Sequence, residues 1–355
     1  MRKQKIILSD HFEDDMNYLL EDRNSDDIFI LCDEKTVKCC LPRMLDSCAH
    51  LKNRPVCVIG AGDVYKHMDT LSEVWMYLSK NGATRRSVLL NLGGGMVTDL
   101  GGFAASTFKR GISYINIPTT LLGSVDAAVG GKTGINFNGL KNEIGVFNPS
   151  DAVIIDTQFF STLDYPNLVS GLAEMLKHGL LSSYEEWERL ISFDRELFDL
   201  KELRTLIRDS IAVKERIVAQ DPNEQNIRKA LNFGHTFGHA FESFSHEKRE
   251  PALHGYAVAW GMIPELYLSH VVSGFPKSVL RDAVNIFRET YGALEIKCDD
   301  YNHIYELMLH DKKNIKKGEI NFTLLGDIGE IQINQKISRG LIDESLDFYR
   351  DSVGL

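Results

Sequence analysis

A chain of 355 residues exceeds what one ordinary core organises, so two domains are expected. Its 43% hydrophobic and 25% charged residues are ordinary for a globular protein. A formal net charge of −10 argues against sequence-independent nucleic-acid binding, which rewards a cationic surface, but a local Lys and Arg cluster can still hold a small anion.

Met1–Asp10 lacks the apolar core of a secretory signal. Short β-rich runs then alternate with helical stretches: strands are expected at Asp27–Cys32, Pro55–Ile59, Ser87–Leu92, Ile112–Ile117 and Ala152–Ile155. Between them, Lys66–Lys80 places Met68, Leu71, Val74, Trp75 and Leu78 at helical spacing, and the alternation predicts a parallel sheet covered by helices. Five of six cysteines (Cys32, Cys39, Cys40, Cys48 and Cys57) fall in this part without paired spacing, and read as small core hydrophobes in a reducing cytoplasm. After Pro166 helical periods dominate, as in Leu203, Ile207, Ile211 and Val218. Glu265 interrupts the apolar stretch Tyr256–Val272, so no membrane span is expected. A hairpin joins Glu319–Leu325 to Glu330–Ile333 through Gly326 and Gly329.

Several motifs carry chemistry. Gly93-Gly94-Gly95-Met96-Val97-Thr98-Asp99 follows a strand and opens a helix, where backbone N–H groups can meet a pyrophosphate; an ordinary tight turn uses the same glycines, and the run is not GxGxxG. Gly130-Gly131-Lys132-Thr133-Gly134, with Gly139-Leu140-Lys141-Asn142, suits a tightly turned anion cradle, and the apolar flanks Leu121–Val129 and Ile144–Phe147 argue against a merely solvated basic loop. If Glu224 to Ser243 is one helix, Glu224, Arg228, Asn232, His235 and His239 share a face beside Phe233, Phe237, Ala240 and Phe241. Glu174 and Lys177 form an i, i+3 pair. Lys214 lies on the apolar stripe between Ile211 and Val218, where it either serves a site or snorkels to solvent. The spacing His235-x-x-x-His239 by itself names those two as a metal pair, with His254 further along.

Together these blocks resemble the 3-dehydroquinate synthases, from about Asp33 to Gly329. The matching runs include Phe108-Lys109-Arg110-Gly111, Pro118-Thr119-Thr120-Leu121-Leu122, Gly171 to Lys177, Leu231 to His239, His254-Gly255 and Asp311-Lys312-Lys313. The resemblance implies an α/β, Rossmann-like nucleotide-binding domain with a parallel sheet over 1–164, and a mainly helical metal- and substrate-binding domain over 165–355. It also implies zinc, with cobalt as a substitute, on Glu174, His235 and His254, which moves His239 from the metal to the substrate. NAD would lie along Gly94, Gly95, Met96 and Asp99, with Thr119, Thr120, Asp126, Lys141 and Thr162, and with Asp33, Asp63 and Lys66 towards its adenosine. A sugar-acid phosphate would meet Arg110, Asp126, Lys132, Asn142, Lys177, Lys214, Arg228, Asn232, His239 and one of Lys312 or Lys313, with Lys312 favoured. Glu224, His239, Lys132 and Arg228 are the candidate catalytic groups. Arg110 would act across a homodimer.

Three positions depart from the family pattern: Asp63 stands where Glu is common, Asp33-Glu34-Lys35 lacks a frequent Asn, and Tyr256 replaces Glu. The first two bear on cofactor affinity. Through the resemblance, the expected reaction eliminates phosphate from 3-deoxy-D-arabino-heptulosonate 7-phosphate and closes a carbocycle with no net redox change, a step of the shikimate route to aromatic amino acids. Two kinds of relative compete: cyclases of the valiolone and deoxyinosose type, and glycerol-dehydrogenase-like oxidoreductases. Arg228 favours a substrate carboxylate over the former, and the anion-binding lysines argue against the latter. A catalytically dead binding module would be expected to lack the ligand positions, which are all in place.

Overall fold

The computed structural model describes residues 4–24, 27–138, 140–310 and 319–355, which form two compact units. One comprises Met1–Asp164 with Leu200–Ile211, the other Tyr165–Asp199 with Ala212–Leu355.

The first unit is built on a six-stranded sheet. Its strands come from β1 (Lys5–Leu8), β2 (Ile28–Asp33), β3 (Val56–Ile59), β4 (Val88–Gly93), β5 (Ser113–Pro118) and, after the hairpin β6 (Lys132–Phe137) and β7 (Leu140–Phe147), β8 (Ala152–Ile155). The order is β1-β8-β5-β4-β2-β3, and every pairing in it is parallel. Strands β2 and β4 are buried at every residue because both faces are covered. Ile30, Leu90 and Ile154 point into a core with Phe12, Met16 and Leu51. Phe29, Leu31 and Leu89 point the other way, towards Leu71, Val74 and Leu78 of the helix Met68–Lys80 and Leu100 of the helix Gly95–Thr107.

The five expected strands are all present, with ends shifted by a residue. Strand β1 is new: four half-exposed edge residues have too little periodicity to announce a strand, and β1 forms by pairing Lys5–Leu8 with Ala152–Ile155. The expected glycine cradle is also different. Most of it is the antiparallel β6–β7 ladder, with Lys132 opposite Phe147 and Ile135 opposite Ile144, while Gly130 and Gly131 turn into it at φ +97° and +73°. Gly139 lies outside the described residues. Cys32, Cys40, Cys48 and Cys57 are buried as expected, but Cys39, at the end of the short helix Thr36–Cys39, is exposed.

The second unit is mainly helical, with one hairpin of β9 (Phe322–Asp327) and β10 (Glu330–Gln335). Gly326 sits inside β9, so the turn is made at Gly329. The helix His254–Ser273 is its centre, buried from Ala257 through Leu266. Against it lies the helix His235–Glu247, at a closeness only glycine permits: a Cβ on Gly261 would meet Gly234 O at 2.3 Å and Gly238 N at 2.4 Å. Among the described residues, no helix is long and apolar enough to cross a membrane.

Candidate active site

In the first unit, the chain leaves β2 for β3 on one side and β4 for β5 on the other, so the carboxyl ends of β2 and β4 flank a topological switch point where α/β sheets bind ligands. Asp33 and Gly93 end those two strands. The helix Gly95–Thr107 starts there with no side-chain cap, so its first N–H groups are available to an anion. Space at the turn is small: a Cβ on Gly94 would come within 3.0 Å of Thr120 Cγ2, and one on Gly95 within 3.0 Å of Ala127 Cβ. Thr119 is buried beside it, its N–H donating to Gly93 O at 3.0 Å. Thr120 Oγ1 accepts from Gly123 N, and Asp126 follows in the turn Gly123–Ala127. The Asp33 carboxylate is partly committed, because Oδ1 accepts the N–H groups of Lys35 and Thr36 at 2.9 and 2.8 Å. Thr162 closes the turn Thr157–Thr162 within 4.0 Å of the Cys40 thiol.

The remaining expected cofactor residues of this unit form a network. Lys66, almost fully buried, places Nζ 2.5 Å from Asp99 Oδ2 and also donates to Asn142 Oδ1. Lys141 lies 3.7 Å from Asp63. Asn136, not expected as a site residue, joins them: it donates to Asp63 Oδ2 at 3.0 Å and accepts from Asn142 N at 2.9 Å. Met96 is half-buried, while Lys132 and Arg110 are exposed, Arg110 at φ +70° in the turn Phe108–Arg110.

In the second unit the expected helix from Glu224 to Ser243 does not exist. Glu224 has φ +57°, a short 3₁₀ turn covers Ile227–Asn232, and Gly234 at φ +79° breaks the chain before the helix begins at His235. Glycine is required there: a Cβ would meet Met262 Cγ at 2.4 Å. The five polar residues therefore do not meet through helical spacing. The turn brings Asn232 Nδ2 to Glu224 Oε1 at 2.9 Å, and it buries Arg228, whose Nη1 donates to Pro222 O at 2.6 Å. Asp221 anchors the turn by accepting the N–H groups of Asn226, Gln225 and Arg228; burial opposes its charge, but these bonds outweigh it and lower the carboxyl pKa.

Glu174, on the helix Tyr165–Leu180, is fully buried, and neither of its oxygens receives a hydrogen bond of normal geometry. The Lys177 ammonium lies against Oε2 and donates to Leu231 O at 2.7 Å. The other oxygen, Oε1, faces two imidazoles: His235 Nε2 at 3.3 Å and His254 Nε2 at 3.4 Å. Burial opposes ionisation of Glu174, yet Lys177 and His235 hold its pKa well below the usual carboxylate range. The far ring nitrogens are also held, His235 Nδ1 by Phe233 O at 3.0 Å and His254 Nδ1 by Glu242 Oε2 at 3.3 Å. The Phe233 carbonyl only accepts, so His235 carries a proton on Nδ1, and its Nε2 is the ring atom turned towards the carboxylate. The three donor atoms lie within 4.8 Å of one another, and one carboxylate with two outer-held imidazoles is a donor set that fits a divalent metal.

His239, one turn along from His235, stacks edge-on to it with ring centroids 5.3 Å apart but is not part of this triad. The pair suggested by spacing alone is thus replaced by one histidine from each of two helices. Lys214 is buried in the helix Leu200–Gln220. Asp311, Lys312 and Lys313 lie outside the described residues. Glu242 and Glu265, both buried on the helices that carry His235 and His254, were not recognised from the sequence as site residues.

Two family models match the chain, 3-dehydroquinate synthase N-terminal over residues 56–170 and 3-dehydroquinate synthase C-terminal over 171–314. A 3-dehydroquinate synthase of Parabacteroides distasonis is 53% identical over 355 residues, the full length of both chains. One from Clostridium tetani is 35% identical, covering 91% of this chain and 87% of its own. Among solved structures, a 2-epi-5-epi-valiolone synthase from Streptomyces hygroscopicus, with NAD+ and Zn2+ bound, superposes with a TM-score of 0.85 at 26% identity, covering 99% of this chain and 98% of that one.

Proposed function

This chain belongs to the 3-dehydroquinate synthase family, and from that premise we propose how its residues divide the work. The reaction is the conversion of 3-deoxy-D-arabino-heptulosonate 7-phosphate to 3-dehydroquinate and phosphate. The observation that carries the reading of the site is the convergence of His235 Nε2 and His254 Nε2 on one oxygen of buried, ionised Glu174. These three residues hold a divalent metal, zinc or cobalt. The 1–164 domain holds NAD, at the Gly94–Gly95 turn with Met96, Asp99, Thr119, Thr120, Asp126, Lys141, Thr162, Asp33, Asp63 and Lys66. The related valiolone synthase crystallised with NAD+ and Zn2+ supports both assignments. When bound, the metal supplies Lewis-acid polarisation of a substrate hydroxyl and the nicotinamide supplies reversible hydride chemistry without net oxidation.

The chain's own groups do the rest. The Arg228 guanidinium is a permanently charged donor pair suited to the substrate carboxylate. Asn232 and Glu224, joined at 2.9 Å, form a polar edge beside it on the same turn. Lys132, Asn142, Lys177, Lys214, His239 and Lys312 or Lys313 neutralise and orient the phosphate and hydroxyls. His239 stands next to His235 with a side chain able to move a proton at pH 7. We assign the working form as a homodimer in which Arg110 serves the neighbouring subunit. The support is that β7 is exposed along its length and that Phe137, Leu140, Val146 and Phe147 of one hairpin present apolar surface. Unpaired cysteines throughout agree with a reducing cytoplasm.

The test is a phosphate-release assay with 3-deoxy-D-arabino-heptulosonate 7-phosphate and catalytic NAD+. Activity should vanish after chelation and return with zinc or cobalt, while NADH absorbance stays flat. Stoichiometric NADH accumulation would place the chain with the dehydrogenases instead.

A further inference from the structure

The helices His235–Glu247 and His254–Ser273 each carry one histidine of the Glu174 triad, and each also carries one buried glutamate, Glu242 on the first and Glu265 on the second. Glu242 touches His254 directly, at 3.3 Å from Nδ1. Glu265 Oε2 accepts the N–H of Gly234 at 2.6 Å. That N–H belongs to the peptide unit whose carbonyl, Phe233 O, lies 3.0 Å from His235 Nδ1. We propose that Glu265 is the positioning residue of His235, acting through the Phe233–Gly234 peptide, so that each helix supplies one imidazole and the glutamate that holds the other's imidazole in place. The inference rests on the metal reading of the triad.

The physical case is a chain of three hydrogen-bonding groups. A carboxylate on a peptide N–H polarises that peptide and makes its carbonyl a stronger acceptor. The carbonyl then fixes the His235 proton on Nδ1 and raises the electron density at Nε2, the atom 3.3 Å from Glu174. Glu265 has further reasons to be fixed. Its Oε1 accepts Thr236 N at 2.9 Å and Phe237 N at 3.3 Å, so its charge sits on the open N–H groups where the histidine helix begins. Gly261, one turn earlier on the same helix, allows the approach, since any Cβ there would strike the backbone of Gly234 and Gly238. Without the carboxylate, the N–H of buried, left-handed Gly234 loses a charged acceptor.

A pure helix cap would stabilise the fold without touching the metal, and the experiment separates the two roles. The metal-free full-length protein is titrated with Co2+, following visible absorption, for wild type, Glu265→Gln and Ser183→Ala. Ser183 caps the helix Tyr184–Ser192 in the same unit, its hydroxyl accepting from Glu186 N at 3.3 Å. The expected result is a cobalt Kd raised about 10–100-fold in Glu265→Gln, the usual penalty for losing an outer carboxylate of a metal site. NAD+ affinity should be unchanged, and Ser183→Ala should lower Tm with no change in cobalt Kd. A folded Glu265→Gln that binds cobalt within about threefold of wild type overturns the proposal. If that variant does not fold, the wild-type amide spectrum decides: the Gly234 proton should resonate far downfield and exchange slowly, and an ordinary position removes the carboxylate link. Undiminished cobalt binding by His235→Ala would instead remove the metal reading, and the proposal with it.

Discussion

Metal binding should be strongly pH-dependent, in a direction set by His254. In the metal-free protein, burial works against a charge on this ring, but hydrogen bonds to Glu174 and Glu242 outweigh it and push the pKa up to about 10. His235 and His239 also border this ring, with centroids 5.4 and 6.0 Å away. Because the folded pKa lies above the unfolded value of 6.5, the imidazolium stabilises the metal-free fold fully below pH 6.5 and progressively less as pH rises towards 10. Each pH unit in that window removes about 1.4 kcal/mol for one proton. A divalent cation on the same Nε2 must displace that proton, so its apparent affinity should climb about tenfold per pH unit, or roughly a hundredfold from pH 6.5 to 8.5. Cobalt titrations of the metal-free protein across that range measure the slope directly. Thermal melts with and without metal should show a gap in Tm that widens with pH. A flat affinity would mean that His254 is already neutral in the free protein, and the reasoning from Glu174 and Glu242 would fail.

Gly261→Ala should cost about 3 kcal/mol, because the new methyl meets backbone atoms that cannot step aside, and denaturant melts will register it; a midpoint unchanged from wild type would refute the close-packing argument. Lys66→Met removes the buried ammonium that binds both the Asp99 carboxylate and the Asn142 amide, costing about 3 kcal/mol, and should weaken NAD+ binding while leaving the cobalt Kd alone. Equal NAD+ affinity by calorimetry would detach Lys66 from the cofactor. Arg228→Lys keeps the charge but loses the planar fork, so kcat/KM for the heptulosonate phosphate should fall by about 2–5 kcal/mol, roughly thirtyfold or more, with metal and NAD+ binding intact. Equal wild-type turnover of sedoheptulose 7-phosphate, which lacks the carboxylate, would refute that role and point to a valiolone-type cyclase.

Local pattern was enough for much of this protein. Strands β2, β4 and β8 are apolar at nearly every residue because both faces of the sheet are covered, so they were legible without knowing what covers them. The Gly93–Gly95 turn was legible too, since strand end, glycines and helix start are neighbours in the chain. Where neighbours in space are distant in sequence, only the tertiary structure decided. Strand β1 exists because β8 offers it an edge 147 residues later, as the pairing of Lys5 with Ala152 shows. The polar stripe from Glu224 to His239 looked helical by spacing, but Gly234 takes a left-handed turn, and any side chain there would strike Met262 on another helix, a contact invisible to periodicity. The ligand set has the same origin. His235 and His239 have the right spacing for a pair, yet Glu174 Oε1 sits between His235 and His254 because three helices converge there. Glu265 marks the limit most sharply: in sequence it is a charge interrupting an apolar run, and in the fold it is a carboxylate closing the start of the histidine helix. Side-chain chemistry and spacing determined what this chain could bind; helix packing determined which atoms face one another.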